Sequence, residues 1–414
     1  MKILMMVCAF PPAPCGGAER QCLAQSLALA ARGHDVTVVT EWLNRRHLRV
    51  ETRGGVRILR CGFLMPLFSA ALKFNQILER RRERVAGKQP ESSPWLPSCE
   101  QPAPRWIRWM QWWQEWSFIV EVAWAVRTRR LQADVVHVHS SEWIAGFAQW
   151  VAERLHAPVV CKEALLPVAM SQPDAASHVP WGAAWRRRRM KCGYVAITEA
   201  IASALAEAGI PAQRIVKIPN GVNPPTQLAE PAAHADAVYI GNFTQGSAHK
   251  GFDVLLRAWG QALRMEPGMR LRLFGAGDTA PWKTYAGEQG CGESVTFEGP
   301  TDHIASAHRQ SGFLVLPSRK EGLSNALLEA MASGLPSVVS DIPGNVAVVR
   351  DGVEGLVVPA GDVAALAEAM VKLYRSPELR DRMGSAARKT IEARFTISAV
   401  AEQLEAAYRT LPSA

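Results

Sequence analysis

The stretch RKEGLSNALLEAMASGLP, residues 319–336, sets the architecture expected for this chain. It follows the apolar run FLVLP at 313–317, which is typical of a strand buried inside a parallel sheet. Ser324 is a suitable helix N-cap, Asn325 to Ser333 is rich in helix-forming residues, and Gly334 is the expected stop. The stretch therefore predicts a strand, a glycine-containing loop and a helix, the repeating unit of an α/β protein.

The start of this helix is a candidate anion site. Leu327 stands where a capping box would place Glu or Gln, so no such side chain is predicted to occupy the first helical amides. A helix that starts just after a parallel strand is where α/β proteins often hold a phosphate. Two carboxylates, Glu321 and Glu329, flank this position, and they would disfavour a phosphate unless they bind something else, such as sugar hydroxyls.

Size and charge bound the class of protein. The chain has 414 residues, enough for two or three domains with a large core. Its formal net charge is +9 and its isoelectric point about 9.3, which fits a generally basic soluble protein, binding of anionic ligands, or an anionic membrane surface. No recognisable nucleic-acid-binding motif accompanies the basic residues, so nucleic acid is not an expected partner.

The cysteines and the apolar segments favour a cytoplasmic protein. None of the eight cysteines forms a Cys-x-x-Cys pair, so the sequence indicates neither a zinc site nor a disulfide framework. No run approaches the roughly 18 consecutive apolar residues that span a bilayer. The N-terminal MKILMMVCAF resembles a signal peptide, but Pro11 and Pro12 follow it, and a buried first strand is the expectation.

The first half of the chain is predicted to open with a βαβ unit. A strand at 2–10 precedes a helix from about Glu19 to Arg32 and a strand at 35–40. Gly16 and Gly17 lie in the loop after the first strand, but the pattern is not G-x-G-x-x-G, so a dinucleotide site is only weakly indicated. Further strands are predicted at 56–61, 134–139, 157–164, 193–198 and 214–222.

A second α/β series follows a Pro/Ala-rich linker. Its strands are predicted at 237–242, 270–278, 294–300, 313–317, 336–341 and 355–359. The fold class is therefore α/β, with two Rossmann-like domains. The predicted division is 1–222 for the first domain, 223–236 for the linker, 237–395 for the second domain, and 396–414 for a final helix that packs back on the first domain.

Residues 63–130 form an unusual insertion in the first domain. A basic run, a proline-rich loop and a tryptophan cluster follow one another there; the basic run is Arg80, Arg81, Arg82, Arg84 and Lys88, and the tryptophans are Trp106, Trp109, Trp112, Trp113, Trp116 and Trp124. Most of these rings fall on one helical stripe. The stripe fits either packing against the sheet or a surface lying on an anionic membrane, and Trp181 and Trp185 with the arginines at 186–189 repeat the same chemistry.

His139 is the best histidine candidate for a functional site. It ends the predicted strand DVVHVH, and ligands in open α/β sheets bind outside the carboxyl ends of the strands. His137 alternates with it, so both side chains are expected on the same side of the sheet.

These features together resemble the retaining glycosyltransferases of family 4, nucleotide-sugar enzymes with the GT-B fold, in which two Rossmann-like domains face each other across a cleft. The motifs are EGLSNALLEAMASGLP with two glutamates eight residues apart, FPPAPCGGAER, DVVHVH, IPNGV, HKGFDVLL, LFGAGD and VRDGVEGLVVPAGD, in the family's order. The resemblance covers nearly the whole chain, is strongest at about 235–395 and is weakest at 63–130.

The resemblance implies roles for individual residues. It assigns His139, Glu321 and Lys250 to catalysis: the histidine near the reacting sugar carbon, the glutamate on the donor sugar hydroxyls, and the lysine on the leaving phosphate. It assigns the remaining positions to donor binding: Gly16, Gly17, Asn242, Gly275, Phe297, Glu298, Gly299, Ser324, Asn325, Ala326 and Glu329. Of these, Glu329 would bind the ribose, and the amides of 324–326 would bind the diphosphate.

One position departs from the family. Many members carry Gly-Arg where this chain has Gly241 and Asn242, and that arginine shares the diphosphate with the lysine. Asn242 can donate a hydrogen bond but supplies no charge. The nearest candidates in the sequence to compensate are His249 and Arg319.

The implied activity is retaining transfer of a hexose-type sugar from a nucleotide sugar, UDP-sugars being the commonest donors, to a glycan or lipid-linked acceptor in bacterial polysaccharide or lipopolysaccharide synthesis. No metal and no other cofactor are expected, because the lysine and the helix would stabilise the diphosphate. Two alternatives stay open: a non-transferring enzyme on the same fold, such as an epimerase, and a catalytically weak scaffold attached to the inner face of the membrane.

Overall fold

The structure, a computed structural model, describes residues 1–12, 16–63, 105–139, 143–166, 191–231, 233, 235–243, 245–301 and 303–410. The described residues form two compact units. The first contains those up to Pro219 together with those from Val400 onward, and the second contains Asn220–Ala399.

The first unit is built on an eight-stranded sheet. Its strands are β1 (Lys2–Val7), β2 (Asp35–Glu41), β3 (Val50–Arg53), β4 (Val56–Cys61), β5 (Val135–Val138), β6 (Val159–Glu163), β7 (Gly193–Ala196) and β8 (Ile215–Lys217). They lie in the order β3-β4-β2-β1-β5-β6-β7-β8, and every neighbouring pair is parallel except β3 with β4. The order reverses between β1 and β5, which makes the carboxyl ends of these two strands the expected ligand crevice.

The helices of this unit cover a sheet whose central strands are apolar and buried. They are α1 (Gly17–Ala31), α2 (Arg105–Arg127), α3 (Trp143–Leu155) and α4 (Glu199–Glu207). The runs KILMMV in β1 and VVHV in β5 are almost fully buried, as expected for strands covered on both faces. The predicted strands are confirmed, with ends that differ by a few residues.

The β3–β4 hairpin is absent from the sequence-based prediction. Its turn consists of Gly54 and Gly55, both with positive φ, which glycine adopts without strain. The strand VETR of β3 is mostly exposed and polar at the sheet edge, so it lacks the apolar signal by which the other strands were predicted.

The second unit has a six-stranded parallel sheet with the order β11-β10-β9-β12-β13-β14. Its strands are β9 (Ala237–Ile240), β10 (Leu271–Phe274), β11 (Val295–Gly299), β12 (Phe313–Leu316), β13 (Ser337–Ser340) and β14 (Gly355–Val358). Its helices are α5 (Phe252–Met265), α6 (Ala280–Glu288), α7 (Ile304–Arg309), α8 (Asn325–Ala332), α9 (Pro343–Val346), α10 (Val363–Arg375) and α11 (Pro377–Arg394). The order is that of a Rossmann domain, and its reversal lies between β9 and β12.

The division between the units lies three residues earlier than the predicted end of the first domain at 222. The side chain of Asn220 donates to the carbonyl of Leu323 at 3.1 Å, and Val222 forms a β-bridge with Thr396. These bonds tie the last residues of the predicted first domain to the second unit.

The last helix, α12 (Ile397–Thr410), belongs to the first unit from Val400 onward. Its apolar side enters the core of that unit, and the hydroxyl of Tyr408 lies 2.6 Å from Nδ1 of His137 in β5. Glu405 accepts a hydrogen bond from Arg32 at 2.8 Å on the surface.

The described side chains of the tryptophan helix α2 are buried along one side. Phe118 and Val122 are fully buried, and Phe118 contacts the ring of Phe147 in α3. Trp109 and Trp124 remain 64% and 50% exposed, so the packing interpretation is wrong for these two rings. The basic run at 80–88, the proline loop, the side chain of Trp106 and the second Trp/Arg cluster lie outside the described residues. Among the described helices, none has the length and apolar character to cross a membrane.

Candidate active site

The predicted donor-site residues of the second unit surround the reversal point of its sheet. Two loops start there, one after β9 and one after β12, and backbone hydrogen bonds join them: the amide of Arg319 donates to the carbonyl of His249 at 2.7 Å. The crevice outside such a reversal point is where open α/β sheets bind ligands.

Lys250 is positioned by the glycine that follows it. It ends a short 3-10 turn, Gln245–Lys250, and Gly251 then adopts φ +68°. A Cβ on Gly251 would lie 1.9 Å from the carbonyl oxygen of Pro317 at the end of β12. Only glycine therefore allows the turn to cross β12 closely enough to bring Lys250 to the second loop.

Lys250 forms an ion pair with Glu321, its predicted partner in catalysis. The carboxylate also accepts a hydrogen bond from the hydroxyl of Ser318 at 3.1 Å, and its side chain is only 8% exposed. Burial, and secondarily the Glu321 charge, raise the pKa of the Tyr239 hydroxyl, so this hydroxyl also lies within the influence of the carboxylate. A lysine and a glutamate held together at a ligand crevice can bind phosphate and hydroxyl groups respectively.

Residues at the end of β13 and the start of α9 support the loop that carries Glu321. Gly344 at the start of α9 lies so close that a Cβ would be 2.3 Å from the carbonyl oxygen of Gly322. The hydroxyl of Ser340 donates to the carbonyl of Ser318, and Asn345 donates to the carbonyl of Ser340 at 3.0 Å. These buried contacts hold the loop in one conformation.

Helix α8 begins as predicted, but without a side-chain cap. Ser324 is its N-cap with extended backbone, and within the described residues its hydroxyl makes no capping hydrogen bond. The start is instead fixed by Asn220, whose amide donates to the side-chain oxygen of Asn325 at 3.1 Å. The helix ends with Gly334 at φ +79°, the left-handed stop predicted from the sequence. Glu329 lies in the second turn and is half-buried.

Asn242 has a structural role that an arginine could not perform. Its side-chain oxygen accepts a hydrogen bond from the amide of Ala276 at 3.2 Å, which joins the loop after β9 to the loop after β10. The two loops approach closely because Gly275 has no side chain: a Cβ there would lie 1.9 Å from the carbonyl oxygen of Gly241.

Arg319, one of the two candidates to supply the charge that Asn242 lacks, already makes an ion pair. Arg319 makes two hydrogen bonds to Asp253, at 2.7 and 2.6 Å. Burial alone would raise the pKa of Asp253, but its hydrogen bonds and charge interaction with Arg319 outweigh this and lower it. The guanidinium is therefore committed to a carboxylate. His249 contributes its backbone carbonyl to the loop junction.

The segment Phe297–Gly299 ends β11 at the edge of the sheet. Phe297 packs against Phe243 and Phe252, with ring centroids 5.8 and 6.4 Å apart. Glu298 pairs with Arg272 at 3.1 Å, so its carboxylate is engaged on the neighbouring strand. The carbonyl of Gly299 accepts a hydrogen bond from the amide of Gly275 at 3.0 Å.

The candidate residues of the first unit lie at the reversal point of their own sheet. Gly16 is the N-cap of α1, and its amide donates to the carboxylate of Glu19 at 2.8 Å. Gly17 is the first residue of that helix. His139 follows β5, and its amide donates to the carbonyl of Met6 in β1 at 3.0 Å.

His139 is a buried, neutral imidazole. It is 4% exposed and stacks on His137 with ring centroids 4.6 Å apart, which confirms that the two side chains share a side of the sheet. Burial, then His137 and Lys162, lower the pKa of His139 well below its usual value. At neutral pH the ring can therefore donate one hydrogen bond and accept another, but it carries no charge.

Several residues that build these sites were not predicted from the sequence. Asn220 and Ser318 each follow a strand-like run, and Asn220 lies in the IPNGV motif, but neither has a spacing that marks its role. Tyr239 is the single polar residue of an apolar strand, and Lys162 stands with Glu163 at the end of another, a signal that was available. Within the described residues, no three His, Cys, Asp or Glu side chains come together as potential metal ligands.

Comparison with known proteins decides the family. The model of Glycosyltransferase Family 4 matches residues 15–225, about half of the chain, and that of Glycosyl transferases group 1 matches residues 234–376. The chain belongs to glycosyltransferase family 4. This confirms the resemblance stated from the motifs.

Individual relatives agree with the family 4 assignment. The chain is 35% identical over 205 residues to a phosphatidyl-myo-inositol mannosyltransferase of Mycobacterium leprae, covering 47% of this chain and 54% of the relative. The chain thus spans about half the length of this curated relative.

Solved structures with the same fold cover nearly the whole family 4 chain. Sucrose-phosphate synthase from Thermosynechococcus elongatus has a TM-score of 0.72 at 20% identity over 99% of this chain and 98% of that one. HepE of Anabaena in complex with UDP-glucose has a TM-score of 0.67 at 16% identity over 99% and 100%. Together with the two parallel sheets, these matches confirm the GT-B fold.

Proposed function

We propose that this family 4 protein transfers a hexose-type sugar from a nucleotide sugar, a UDP-sugar, to a glycan or lipid-linked acceptor with retention of configuration. The pathway class is bacterial polysaccharide, lipopolysaccharide or glycolipid synthesis. The observation that carries the proposal is the pairing of Lys250 with Glu321 beside the start of α8.

This arrangement suits a ligand with phosphate and hydroxyl groups side by side. The Lys250 ammonium and the first amides of α8 provide positive charge for a diphosphate. Glu321 provides acceptor oxygens for the hydroxyls of the sugar, and Glu329, one helical turn along α8, those for the ribose. Binding of the donor would exchange the Lys250–Glu321 pair for bonds to the two parts of the ligand.

The same groups would stabilise the departure of the diphosphate. Negative charge grows on the leaving oxygen as the bond to the anomeric carbon breaks, and a preorganised ammonium with amide dipoles lowers the energy of that state. The proposed reaction needs no metal, because these groups supply the charge stabilisation themselves. Asn242 orients the loop beside the phosphate rather than adding charge.

Retention is proposed to follow front-face attack. A double displacement would require a carboxylate nucleophile below the sugar ring. His139, the catalytic candidate of the first unit, is a neutral imidazole that stacks on a second neutral ring. It would orient and polarise hydroxyl groups, while the leaving phosphate accepts the proton of the acceptor.

The proposed donor base rests on likeness to proteins with known ligands. HepE is solved with UDP-glucose, and its fold covers this whole chain. The test is a thermal melting and turnover screen with UDP-, GDP- and ADP-sugars. Stabilisation and transfer with a UDP-sugar, but not with the free sugar, would support the proposal. Conversion of the donor to its epimer without transfer would favour the non-transferring alternative.

We also propose that helix α2 of the first unit lies on an anionic membrane. The exposed rings of Trp109, Trp113 and Trp124 occupy one side of α2, and the guanidinium of Arg130 lies 4.3 Å from the Trp124 ring. Interfacial helices combine aromatic and basic residues in this way. In flotation with anionic vesicles, the Trp109→Ala/Trp124→Ala double variant should bind less than wild type. The control Leu228→Ala, at an exposed apolar residue of the second unit, should bind like wild type. Failure of wild type to float at low salt would end this part of the proposal.

A further inference from the structure

Lys162 is a buried lysine in the sheet of the first unit. It lies in β6, is 4% exposed, and its Nζ has no hydrogen-bond partner within the part of the chain that the structure describes. Burial lowers its pKa from 10.5 to about 7. An unpaired buried charge is among the most destabilising features a protein can carry, so such groups are retained where they have a partner in function.

Strand register places Lys162 beside the two histidines. His137 pairs with Val160 and Val138 with Cys161, so the next pair in register is His139 with Lys162. Residues in register point to the same side of a sheet. The Lys162 charge also lowers the pKa values of both histidines, after burial and, for His139, after His137. All three side chains therefore meet on one side of the sheet, at the ends of β5 and β6.

Unsatisfied polar atoms are concentrated at this place. Among the described residues, Nε2 of His137, both ring nitrogens of His139 and Nζ of Lys162 have no hydrogen-bond partner. Native proteins pair the large majority of their buried polar groups. Nζ of Lys162 and one nitrogen of the neutral His139 ring can donate hydrogen bonds, so the cluster points to an absent acceptor.

Three described groups beside the cluster do not supply that acceptor. Glu163 is the next residue along β6 and points to the opposite side of the sheet. Cys22 of α1 is the group that interacts electrostatically with Lys162, but burial raises the pKa of its thiol to about 12, so it carries no negative charge at neutral pH. The hydroxyl of Tyr408 is already within hydrogen-bonding distance of His137.

The position of the cluster is that of a ligand site. His139 follows β5, which borders the reversal point of the sheet in the first unit, and β6 is the next strand. The carboxyl ends of strands at this point are where α/β sheets receive ligands.

We propose that Lys162, with His139 and His137, forms an oxyanion-binding subsite of the first unit that takes a phosphate or carboxylate group carried by the acceptor. This inference rests on the proposed transferase function. The ammonium would donate to the oxyanion, and the neutral His139 ring would donate one further hydrogen bond. Lys162 would then orient the acceptor and is a specificity-determining residue.

A melting experiment tests the subsite directly. All titrations use the full chain carrying Lys250→Met. This substitution keeps the contribution of the proposed diphosphate site in the second unit to the rise in Tm as small as possible. The probes are inorganic phosphate, glucose 6-phosphate, glucuronate and uncharged glucose. We expect a saturable rise in Tm with inorganic phosphate and with one of the two sugar oxyanions, and none with glucose. The preferred sugar oxyanion distinguishes a phosphate-bearing from a carboxylate-bearing acceptor.

The Lys162→Met variant should weaken this binding about tenfold to a hundredfold, since one charge-assisted hydrogen bond is lost. Lys162→Arg should retain part of it. The matched control is Lys217→Met, at an exposed lysine of the same unit, which should leave binding unchanged. Equal affinity in Lys162→Met and its parent would overturn the proposal.

The ligand-free stability provides an independent readout. Because Nζ of Lys162 is buried and has no hydrogen-bond partner among the described residues, Lys162→Met should melt at the same temperature as its parent or higher. A lower Tm would mean that the ammonium serves the fold, and the subsite would be rejected. UDP protection of the wild-type chain is measured alongside. Its absence would count against the proposed transferase function while leaving the oxyanion result to be judged by itself.

Discussion

The ammonium of Lys250 and the carboxylate of Glu321 form an ion pair at the carboxyl ends of β9 and β12. Each is also held by its own loop: Gly251 lets Lys250 cross the end of β12, and Ser318 donates to Glu321. The pair therefore holds an ammonium and a carboxylate in one place, and the proposed donor would exchange the ion pair for a bond to each of them.

Replacing Glu321 should reduce turnover without abolishing nucleotide binding. Glu321→Gln keeps the shape of the side chain but removes the charge that accepts sugar hydroxyls, so we expect kcat to fall on the order of a hundredfold. Protection from melting by UDP should persist, because Lys250 is released from its partner. Glu266→Gln, at a surface glutamate paired with Arg375, is the control. Unchanged turnover in Glu321→Gln would remove its contact with the sugar from the mechanism.

Replacing Lys250 should lower both the turnover and the binding of the nucleotide. Lys250→Met removes the charge expected on the leaving phosphate, so kcat should fall on the order of a hundred- to a thousandfold. Protection by UDP should weaken in parallel, unlike in Glu321→Gln. Lys372→Met changes an exposed lysine of α10 in the same unit and should leave both measurements unchanged. Full UDP protection in Lys250→Met would contradict the assigned phosphate contact.

Two substitutions of Asn242 should have opposite effects. Asn242→Ala removes the acceptor for the Ala276 amide and should lower the free energy of unfolding by up to about 1 kcal/mol, with little change in donor affinity. Asn242→Asp keeps an acceptor but adds negative charge near the diphosphate. It should preserve stability and weaken donor binding by about 1 kcal/mol, roughly fivefold.

The control for the added charge is Asn223→Asp, at an exposed position of the second unit. Chemical denaturation and donor titration measure the two effects. Equal stability loss in both Asn242 variants would show that the hydrogen bond to Ala276 is not its role.

Gly251→Ala should be more damaging than an alanine at another left-handed glycine. Gly352 has φ +74°, and no atom of the described residues lies within 4 Å of the position that its Cβ would take. Its alanine variant therefore reports the backbone cost alone, about 1 kcal/mol. Gly251 has φ +68° and in addition meets Pro317 at 1.9 Å. We expect Gly251→Ala to lower the free energy of unfolding by about 2–4 kcal/mol. Turnover should also fall, since Lys250 would move. Similar costs at the two glycines would argue against the close approach to β12.

The first unit should lose stability in mild acid through His137. Burial, and secondarily Lys162, lower the pKa of this histidine from 6.5 to about 3. Between these values the unfolded chain binds a proton that the folded chain does not. The free energy of unfolding is therefore not reduced by this histidine above pH 6.5. Below pH 6.5 it falls by about 1.4 kcal/mol per pH unit.

Urea unfolding at pH 7, 6 and 5 measures this slope. His137→Phe should reduce it by about that amount, even though the variant also loses the contact with Tyr408 at every pH. His156→Asn, at an exposed histidine of the same unit, should leave the slope unchanged. An unaltered slope in His137→Phe would show that another group controls acid unfolding.

Much of the candidate site followed from local sequence. The run FLVLP, the cap at Ser324 and the stop at Gly334 specify a strand, a loop and a helix through short-range preferences, and the structure has all three within a residue of the predicted ends. The edge strand β3 could not be predicted in this way, because an exposed polar strand owes its conformation to pairing with β4.

The type and order of the elements and the family could be read from the chain alone, since apolar periodicity, caps and motifs are properties of neighbouring residues. The folded molecule was needed to show that Asn242 accepts a hydrogen bond from Ala276, that Arg319 is held by Asp253, and that Lys162 is buried without a counterion among the described residues. Each of these depends on which strands lie side by side. Distances between residues far apart in the chain are set by the order and register of a sheet, and no local pattern encodes them.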